Sequence, residues 1–377
     1  MKQIIIAIDS FKGCLSSWEL GKAAEKGVRQ VCPDGSVVVL PVADGGEGTV
    51  EALVQASGGS YATATVHGPL GKPVEARYGL TADGRTAILE MAAASGLSLI
   101  PYQVGNVMDT STYGTGELIA DALRRGCDRI LMGIGGSATN DAGVGMLQAL
   151  GFRFLDQQGR EVPAGGRHLS EIASIDGRNA LPALKSCSFQ VAVDVGNPFY
   201  GENGAACVFA PQKGATPAMV EQLDEGLRHL AALFQALTGK NIQDIPGSGA
   251  AGGLGGACHL FLHATLLPGI EMVLQQLDFD RLLQDAALVI TGEGKIDRQT
   301  RCGKVVSGIV RHAGTRVPVV ALTGNMAEAD DALFADGLTA CFSIHPAPVT
   351  LEEAMKPAYT KRNVQKLTEQ LLRLIQK

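Results

Sequence analysis

Several features that would identify common classes of protein are missing from this 377-residue sequence. No stretch approaches the roughly 18–20 consecutive apolar residues of a membrane helix. The apolar run from Ile4 to Ile8 is shorter than the ~7–15-residue apolar region of a signal peptide. The eight cysteines are scattered without a CxxC pair, so neither a disulfide framework nor structural zinc is indicated. We therefore expect a cytoplasmic protein with reduced thiols and no membrane partner.

A basic surface and the best-known catalytic signatures are also lacking. The net charge of −6 disfavours a nucleic-acid partner. The sequence has no GxxxxGK[ST] phosphate loop and no HRD and DFG pair, which excludes P-loop enzymes and protein kinases. It also has no HExxH and no GxSxG, which disfavours zinc proteases of that type and α/β-hydrolases.

Glycine, in contrast, is abundant. The 48 glycines among 377 residues are about twice the usual ~7%, and they recur in discrete clusters rather than in a repeat. Clusters of this kind at strand ends let the backbone approach another group closely. They favour a binding site for a small molecule.

Both ends of the chain show an alternation of strands and helices. The strand Ile4–Ile8 is followed by a capping box at Ser16 and Glu19 and by a helix, and the same rhythm returns after residue 282. This alternation predicts an α/β fold with a doubly wound, mostly parallel sheet. We expect a discontinuous Rossmann-like domain of residues 1–60 plus 283–377. A second, glycine-rich α/β domain of residues 61–282 is inserted into it.

Five acidic or glycine-rich loops follow expected strands. They are DSFKG from Asp9, ADGGEGT from Ala43, GIGGSATNDAG from Gly133, VDVGNP from Val193 and TGEGKID from Thr291. In open α/β sheets, ligands bind beyond the carboxyl ends of the strands. One such loop is commonly a turn or a helix cap, but five together indicate a site.

The third loop permits a dinucleotide-binding interpretation. Gly133, Gly135 and Ala138 fit GxGxxA after a strand, and Asp156 stands where an acidic residue would bind a ribose. Against it, Asp141 stands where the next helix would start, and its carboxylate would compete with a phosphate for the same amides. Asp141 is more simply a cap, a metal ligand or a hydroxyl partner.

Phosphoryl transfer accounts for more of the chain. It needs amides around phosphates, carboxylates for Mg²⁺, cations and a base. GSGAAGGLGGA from Gly247 could supply amides, although its glycines could instead only permit close helix packing. The stretch after Thr291 could supply the acids Glu293 and Asp297 and the cations Lys295, Arg298, Arg301 and Lys304.

Six segments together resemble the bacterial type I glycerate kinases. They are IAIDSFKGCLSS, PVADGGEGT, GIGGSATNDAGVGMLQALG, VFAPQKGAT, GAAGGLGGA and VITGEGKIDRQT, in this order between Ile4 and about Asn325. The resemblance implies two unlike α/β domains with the active site in the cleft between them. It implies ATP-dependent phosphorylation of D-glycerate to 2-phospho-D-glycerate with Mg²⁺. Its partners would be glycerate and ATP, and the chain could be a monomer or a homodimer.

The loops and the resemblance together define the expected site. We expect the catalytic residues to be Asp194, Lys12 and Asp141. Asp194 would accept or orient the proton of the attacking hydroxyl group, because it ends an apolar strand and a turn follows it. The residues expected to bind substrate are Asp9, Ser10, Lys12, Asp44, Gly45, Gly46, Ser137, Asn140 and Asn197, with Lys12 and Ser10 near the carboxylate. Those expected to bind nucleotide are Gly252, Gly253, Gly255, Gly292, Glu293, Gly294 and Lys295, and those expected to bind metal are Glu293 and Asp297.

Two other functions remain open at this point. One is an NAD(H)-dependent hydroxy-acid dehydrogenase that uses the GxGxxA stretch, which would bind NAD(H) rather than ATP. The other is a non-catalytic sensor of glycerate or nucleotide, which would bind its ligand without turnover.

Overall fold

The computed structural model describes residues 3–102, 106–297, 300, 303–326 and 331–375. Its strands are β1 (Gln3–Ile8), β2 (Val37–Val39), β3 (Ser60–His67), β4 (Pro73–Leu80), β5 (Thr86–Glu90), β6 (Arg129–Gly133), β7 (Arg153–Leu155), β8 (Ser174–Asp176), β9 (Ser188–Ala192), β10 (Thr265–Leu267), β11 (Ala286–Ile296), β12 (Val319–Met326) and β13 (Leu338–Ser343). Its helices are α1 (Ser17–Val31), α2 (Thr49–Ser57), α3 (Ala92–Ser95), α4 (Tyr113–Arg124), α5 (Val144–Ala149), α6 (Ala205–Phe209), α7 (Pro217–Thr238), α8 (Leu254–Phe261), α9 (Gly269–Gln276), α10 (Phe279–Leu283), α11 (Val305–Ala313), α12 (Asp331–Ala335), α13 (Leu351–Ala354) and α14 (Pro357–Ile375).

The chain forms two compact units. Unit 1 comprises residues 1–44, 51–56 and 268–377, and unit 2 comprises residues 45–50 and 57–267. The expected bounds were 1–60, 61–282 and 283–377. In the structure α9 and α10, which both begin before residue 283, belong to unit 1 and pack near α11. The domain division drawn from the sequence stays a prediction.

Unit 1 contains a five-stranded sheet in the order β13-β12-β11-β1-β2, in which every pairing is parallel. Ile4, Ile6 and Ile8 point to one face of β1 because side chains alternate along a strand. They join a core with buried residues of α1 and α14. α1 begins with the expected capping box, in which the Glu19 amide donates to Ser16 Oγ and Glu19 accepts from the Ser16 amide.

Unit 2 contains a six-stranded sheet in the order β10-β9-β6-β5-β4-β3. The pairings from β10 to β5 are parallel, and β4 and β3 add antiparallel strands. β7 and β8 form a separate small antiparallel pair. The α/β class with mostly parallel sheets is thus confirmed.

Two local expectations were wrong. Thr291 to Asp297 was expected to be a loop, but β11 continues to Ile296 because its outer half pairs with β12, as far as Ile296 opposite Met326. The helical spacing of Val364, Leu371 and Leu374 predicts one buried stripe on the last helix, but Leu374 is exposed, whereas Val364 and Leu371 are buried. No described helix is long and apolar enough to cross a membrane. The seven cysteines within the described ranges are free thiols.

An ionic contact joins three helices of unit 1. His312 on α11 lies 2.7 Å from the Asp280 carboxylate through Nδ1 and 2.8 Å from the Glu271 carboxylate through Nε2. Burial by itself would lower the pKa of His312, but the hydrogen bonds to Asp280 and Glu271 outweigh it and raise the pKa. The charged imidazolium is therefore favoured in the folded state.

Replacing His312 by glutamine should destabilise the protein in a pH-dependent way. A raised pKa stabilises the fold fully below the ordinary value of 6.5, and this stabilisation is lost as the pH rises through the folded value. His312→Gln should lower the free energy of unfolding by up to about 1 kcal/mol below that pH and by less above the folded pKa. Urea titrations over this range measure the difference, with His168→Gln in unit 2 as control. An equal loss at every pH would contradict the prediction.

Candidate functional site

The central strands of unit 1 place two acidic residues side by side. β1 and β11 pair in parallel with Ile8 opposite Gly292. The Asp9 amide then donates to the Gly292 carbonyl oxygen at 2.8 Å, which continues the pairing past the end of β1. Asp9 and Glu293, far apart in sequence, therefore lie next to each other at the edge of the sheet where β1 ends, although β11 itself continues to Ile296.

This edge opens into a pocket of about 350 Å³ within unit 1. Seven of the residues expected to bind substrate or nucleotide line it: Asp9, Ser10, Lys12, Asp44, Glu293, Gly294 and Lys295. Lys304 adds a third lysine to the lining, so three carboxylates and three ammonium groups face one small volume. Such a pocket can bind a highly charged small molecule together with its counterions.

Asp9 lies deep in this pocket and is only 6% exposed. Burial, followed by repulsion from Asp44 and Glu293, raises the pKa of Asp9 to about 7, although the Ser10 amide at 2.7 Å opposes the shift. Lys12 Nζ lies 3.8 Å from Asp44 Oδ2 and is 64% exposed. Asp9 is thus a carboxyl group that can exchange a proton near neutral pH.

Glu293 is the second buried acid of the pocket. Burial raises the pKa of Glu293 to about 7, while a hydrogen bond donated by the Thr300 hydroxyl group opposes the shift. The Asp297 amide donates to Thr300 Oγ1 at 3.1 Å, and the Asp297 carboxylate lies 2.9 Å from Lys295 Nζ. Thr300 therefore links the two residues that were expected to bind metal.

The donor chemistry of this pocket suits Mg²⁺ bound together with phosphates. No group of three or more His, Cys, Asp or Glu side chains in the described ranges is arranged as a ready-made metal site. Mg²⁺ commonly uses only one or two carboxylates and completes its coordination with water and substrate phosphates. A nearby cation would also favour the ionised form of a carboxyl group whose pKa is raised, as it is for Glu293.

In unit 2, Asp141 is the buried anchor of the loop that follows β6. Its carboxylate accepts hydrogen bonds from the amide and hydroxyl group of Thr112, at 2.7 and 2.9 Å, and from the amides of Gly143 and Gly145. Burial raises the pKa of Asp141, and these hydrogen bonds oppose the shift. Asp141 joins α4 to the loop before α5, as the cap interpretation predicted, and its catalytic role stays a prediction.

Two alanines next to this loop have unusual backbone angles. Ala142 has φ of 55° and Ala251 has φ of 52°, values that are rare for residues other than glycine. The Ala142 amide donates to the Gly252 carbonyl oxygen at 2.9 Å. A Cβ atom on Gly252 would lie 2.2 Å from the Thr139 carbonyl oxygen, so only glycine fits. Strained backbone of this kind is concentrated at functional sites.

Two further glycines of this stretch that were expected to bind nucleotide, Gly253 and Gly255, are packed against protein atoms. A Cβ atom on Gly253 would lie 2.8 Å from the Phe199 ring, and one on Gly255 would lie 2.5 Å from the Gly247 carbonyl oxygen. Both positions therefore fit the alternative considered for this stretch, in which the glycines permit close packing of the chain. Their role in nucleotide binding stays a prediction.

Sequence reasoning assigned no role to Lys213, which follows the short helix α6. Its side chain is buried, and Nζ donates to Ser137 Oγ and to the Thr139 carbonyl oxygen, both at 2.7 Å. Burial lowers the pKa of Lys213 to about 7. Its segment, PQKG, is typical of an exposed turn, so no sequence signal indicated a buried lysine.

Glu90 was also missed, although a signal was present. It ends the buried strand β5, in the same way that Asp9 ends β1. Its carboxylate accepts from the Val50 amide at 3.3 Å at the start of α2. Burial raises the pKa of Glu90, and hydrogen bonds from the Val50, Gly48 and Thr49 amides oppose the shift. A Cβ atom on nearby Gly133 would lie 2.3 Å from the Gly45 carbonyl oxygen, so the two predicted loops touch through backbone.

The loop after β9 differs in part from expectation. Asp194 was expected at the end of a buried strand, but β9 ends at Ala192 and Asp194 is exposed. The cost of burying a charge therefore no longer argues for its function. Asn197 Nδ2 donates to the Asn203 carbonyl oxygen at 2.8 Å, which shapes the turn. Arg298 and Arg301 lie outside the described residues.

The structure also argues against the dinucleotide interpretation of this region. The amides of Gly143 and Gly145, which would bind a pyrophosphate, already donate to the Asp141 carboxylate. Asp156 follows β7, which pairs only with β8 in the separate antiparallel pair, rather than a strand of the parallel sheet. The spacing of GxGxxA is present, but the strand–helix–strand unit it requires is not.

Comparisons with known proteins agree on one family. The model of the glycerate kinase family matches residues 4–376. The chain is 48% identical to a glycerate kinase of Halalkalibacterium halodurans over 94% of both chains. It is 46% identical to a glycerate 2-kinase of Escherichia coli over 95% of this chain and 94% of that one. A crystal structure assigned to a glycerate kinase 2 of Salmonella typhimurium matches with a TM-score of 0.91 and 44% identity, covering 100% of this chain and 98% of the other.

Replacing Asp9 by asparagine should stabilise the protein at neutral and alkaline pH. The folded state holds the Asp9 proton from the ordinary pKa of 3.8 up to about 7, so stability decreases across this window as the pH rises. Asp9→Asn removes the charge and should raise the free energy of unfolding by about 1 kcal/mol or more above this window. Below it, the effect should be small.

Urea titrations at about pH 8, above this window, and at about pH 5, within it, test the prediction, because the stabilisation by Asp9→Asn should be larger at the higher pH. Asp176→Asn is the matched control, because Arg178 at 2.7 Å lowers the pKa of Asp176, and it should not stabilise the protein at either pH. Equal stability of Asp9→Asn and wild type at the higher pH would contradict the prediction.

Proposed function

Because the chain belongs to the glycerate kinase family, we propose roles for individual residues in its reaction. The enzyme transfers the γ-phosphoryl group of ATP to the 2-hydroxyl group of D-glycerate, which yields 2-phospho-D-glycerate and ADP. The similarity to curated glycerate kinases along almost the whole chain carries this conclusion. The dehydrogenase and sensor alternatives receive no support from the same comparisons.

We assign the phosphates of ATP to the residues that the sequence indicated for nucleotide binding. Phosphoryl transfer relies on positioning and on cations around the transferring group, since the protein supplies little covalent chemistry. The lysines of the unit 1 pocket, Lys12, Lys295 and Lys304, meet this requirement. The proposed nucleotide-binding set is Gly252, Gly253, Gly255, Gly292, Glu293, Gly294 and Lys295.

We place Mg²⁺ at Glu293 and Asp297. Bound there with the nucleotide, the ion would offset negative charge on the phosphoryl oxygens. Thr300 orients Glu293 by donating its hydroxyl hydrogen, and it accepts from the Asp297 amide. Lys295 already lies beside Asp297 and would contribute positive charge to the same group.

Glycerate presents a carboxylate and two hydroxyl groups, and the proposed residues match these in type. Lys12 and Ser10 would bind the carboxylate, for which an exposed lysine is an adequate point charge. The remaining proposed substrate-binding residues are Asp9, Asp44, Gly45, Gly46, Ser137, Asn140 and Asn197. Asp141 directly follows Asn140 and is itself fixed by hydrogen bonds from Thr112, Gly143 and Gly145.

Two carboxylates are candidates for the base that orients the attacking hydroxyl group. Asp194 follows the carboxyl end of β9, where open-sheet sites form. Asp9 is the second candidate, because its pKa of about 7 matches a general base acting near neutral pH. We propose Asp194 as the base, and Asp9 is the alternative with which the variants described below compare it.

An ADP-release assay tests the activity and its metal requirement together. The purified enzyme should form ADP when D-glycerate, ATP and Mg²⁺ are all present, and ADP formation should stop on addition of a chelator. Lactate, glycolate and 3-phosphoglycerate serve as alternative substrates and should react far more slowly. Undiminished turnover with excess chelator would remove Mg²⁺ from the proposal, and absence of glycerate-dependent ADP formation would contradict the activity.

Asp194→Asn should lower turnover by roughly 10²-fold or more if Asp194 is the base. Because asparagine is nearly isosteric and Asp194 is exposed, the fold should be retained. Circular dichroism and the KM for ATP serve as controls. Near-normal turnover of Asp194→Asn together with a large loss in Asp9→Asn would move the role to Asp9.

A further inference from the structure

Lys213 and Ser137 form a hydrogen-bonded pair that the activity does not yet explain. Lys213 is 4% exposed and Ser137 is 9% exposed, and Lys213 Nζ donates to Ser137 Oγ at 2.7 Å. A second donation from Nζ, to the Thr139 carbonyl oxygen, holds the ammonium group against the loop. Burying a charged lysine is unfavourable, so the buried position of Lys213 indicates a functional role.

The direction of the first hydrogen bond determines what Ser137 can do. An ammonium group has donors only, so Ser137 Oγ must accept from Lys213. The hydroxyl group of Ser137 can then donate its hydrogen to another acceptor, and the described residues supply none. Ser137 is therefore held as a donor toward an oxygen outside the chain.

The residues next to Ser137 also have unused hydrogen-bonding capacity. Asn140 is fully buried, and neither its Nδ2 nor its Oδ1 has a partner among the described residues. Thr139 Oγ1 and Ser248 Oγ are likewise buried without partners within the described ranges. Because buried polar groups without partners are costly, a ligand or ordered water is expected to complete this set.

We propose that Lys213 is a positioning residue for glycerate binding: it orients the Ser137 hydroxyl group as a hydrogen-bond donor to an oxygen of glycerate, beside the Asn140 amide. This proposal rests on the activity stated above and on the proposed role of Ser137. Lys213 acts through Ser137 and does not itself touch the substrate. The same loop continues into Asp141, whose carboxylate accepts from the Gly143 amide, and into Ala142, which has a φ of 55°.

The charge state of Lys213 then controls the donor role of Ser137. Burial lowers the pKa of Lys213 to about 7, and Asp141 is the charged group that opposes this shift. A neutral amine can accept the Ser137 hydrogen, which would remove the donor from the substrate. The kcat/KM for glycerate, which reports groups of the free enzyme, should therefore fall as the pH rises above about 7.

A double-mutant cycle tests whether Lys213 acts through Ser137. Ser137→Ala and Lys213→Met should each lower kcat/KM for glycerate by about 10- to 100-fold, the usual range for a hydrogen bond to a charged group, with the KM for ATP within about threefold. In the Ser137→Ala background, Lys213→Met should cost less than about threefold, because its effect passes through Ser137. Lys72→Met, at an exposed lysine of unit 2, is the matched control and should change neither parameter.

Several results would overturn the proposal. Unchanged kcat/KM in Ser137→Ala would do so, as would an equal loss from Lys213→Met in both backgrounds. A purely structural role would lower the melting temperature of Lys213→Met without altering its kinetic constants. If Lys213→Met does not fold, the pH profiles decide, because the alkaline decline in wild type must be absent from Ser137→Ala. Wild-type enzyme that forms no ADP with glycerate would refute the activity itself, which is a separate outcome.

Discussion

The register between β1 and β11 is the constraint on which the chemistry of unit 1 depends. With Ile8 opposite Gly292, Asp9 follows the last residue of β1 beside Glu293 of β11, so the two acids lie together at one edge of the sheet. The apolar core beneath holds this register, since Ile4, Ile6 and Ile8 are buried against α1 and α14. A shift by one residue would turn these isoleucines to the other face of the sheet, out of this core, and would move Asp9 relative to Glu293. Burial that stabilises the fold therefore also places the acidic pair.

The same placement has an energetic cost that the fold tolerates. Asp9 and Glu293 are buried beside each other and beside Asp44, and the pKa values of both are raised to about 7. Buried like charges destabilise a fold, and they persist where a ligand or cation binds them. Lys12, Lys295 and Lys304 around them supply part of the compensation. The pocket is thus suited to substrates that carry several negative charges and a metal ion.

Unit 2 uses buried hydrogen bonds where unit 1 uses charges at a strand edge. Asp141 satisfies amides of the loop after β6, and Lys213 holds the preceding residues of the same loop. Gly252 allows the glycine-rich segment to approach Thr139 so closely that no side chain fits between them. The abundance of glycine that the sequence shows therefore has a structural meaning here, since these glycines bring backbone segments together. Preorganisation of this kind keeps polar groups ready for a ligand.

Local patterns in the sequence were sufficient to predict the fold class, the capping box at Ser16 and Glu19, and acids such as Asp9 that end buried strands. Each of these depends on neighbours within one turn or one strand, which the sequence displays directly. The resemblance to one family, carried by six ordered segments, determined the reaction. Only the tertiary structure decided that β11 runs through Glu293, that Asp194 is exposed and that Lys213 is buried beside Ser137. The pairing of β11 with β12 depends on contacts between distant segments, as does the approach of Lys213 to Ser137, 76 positions away. Burial, which raises or lowers the pKa values, results from such contacts.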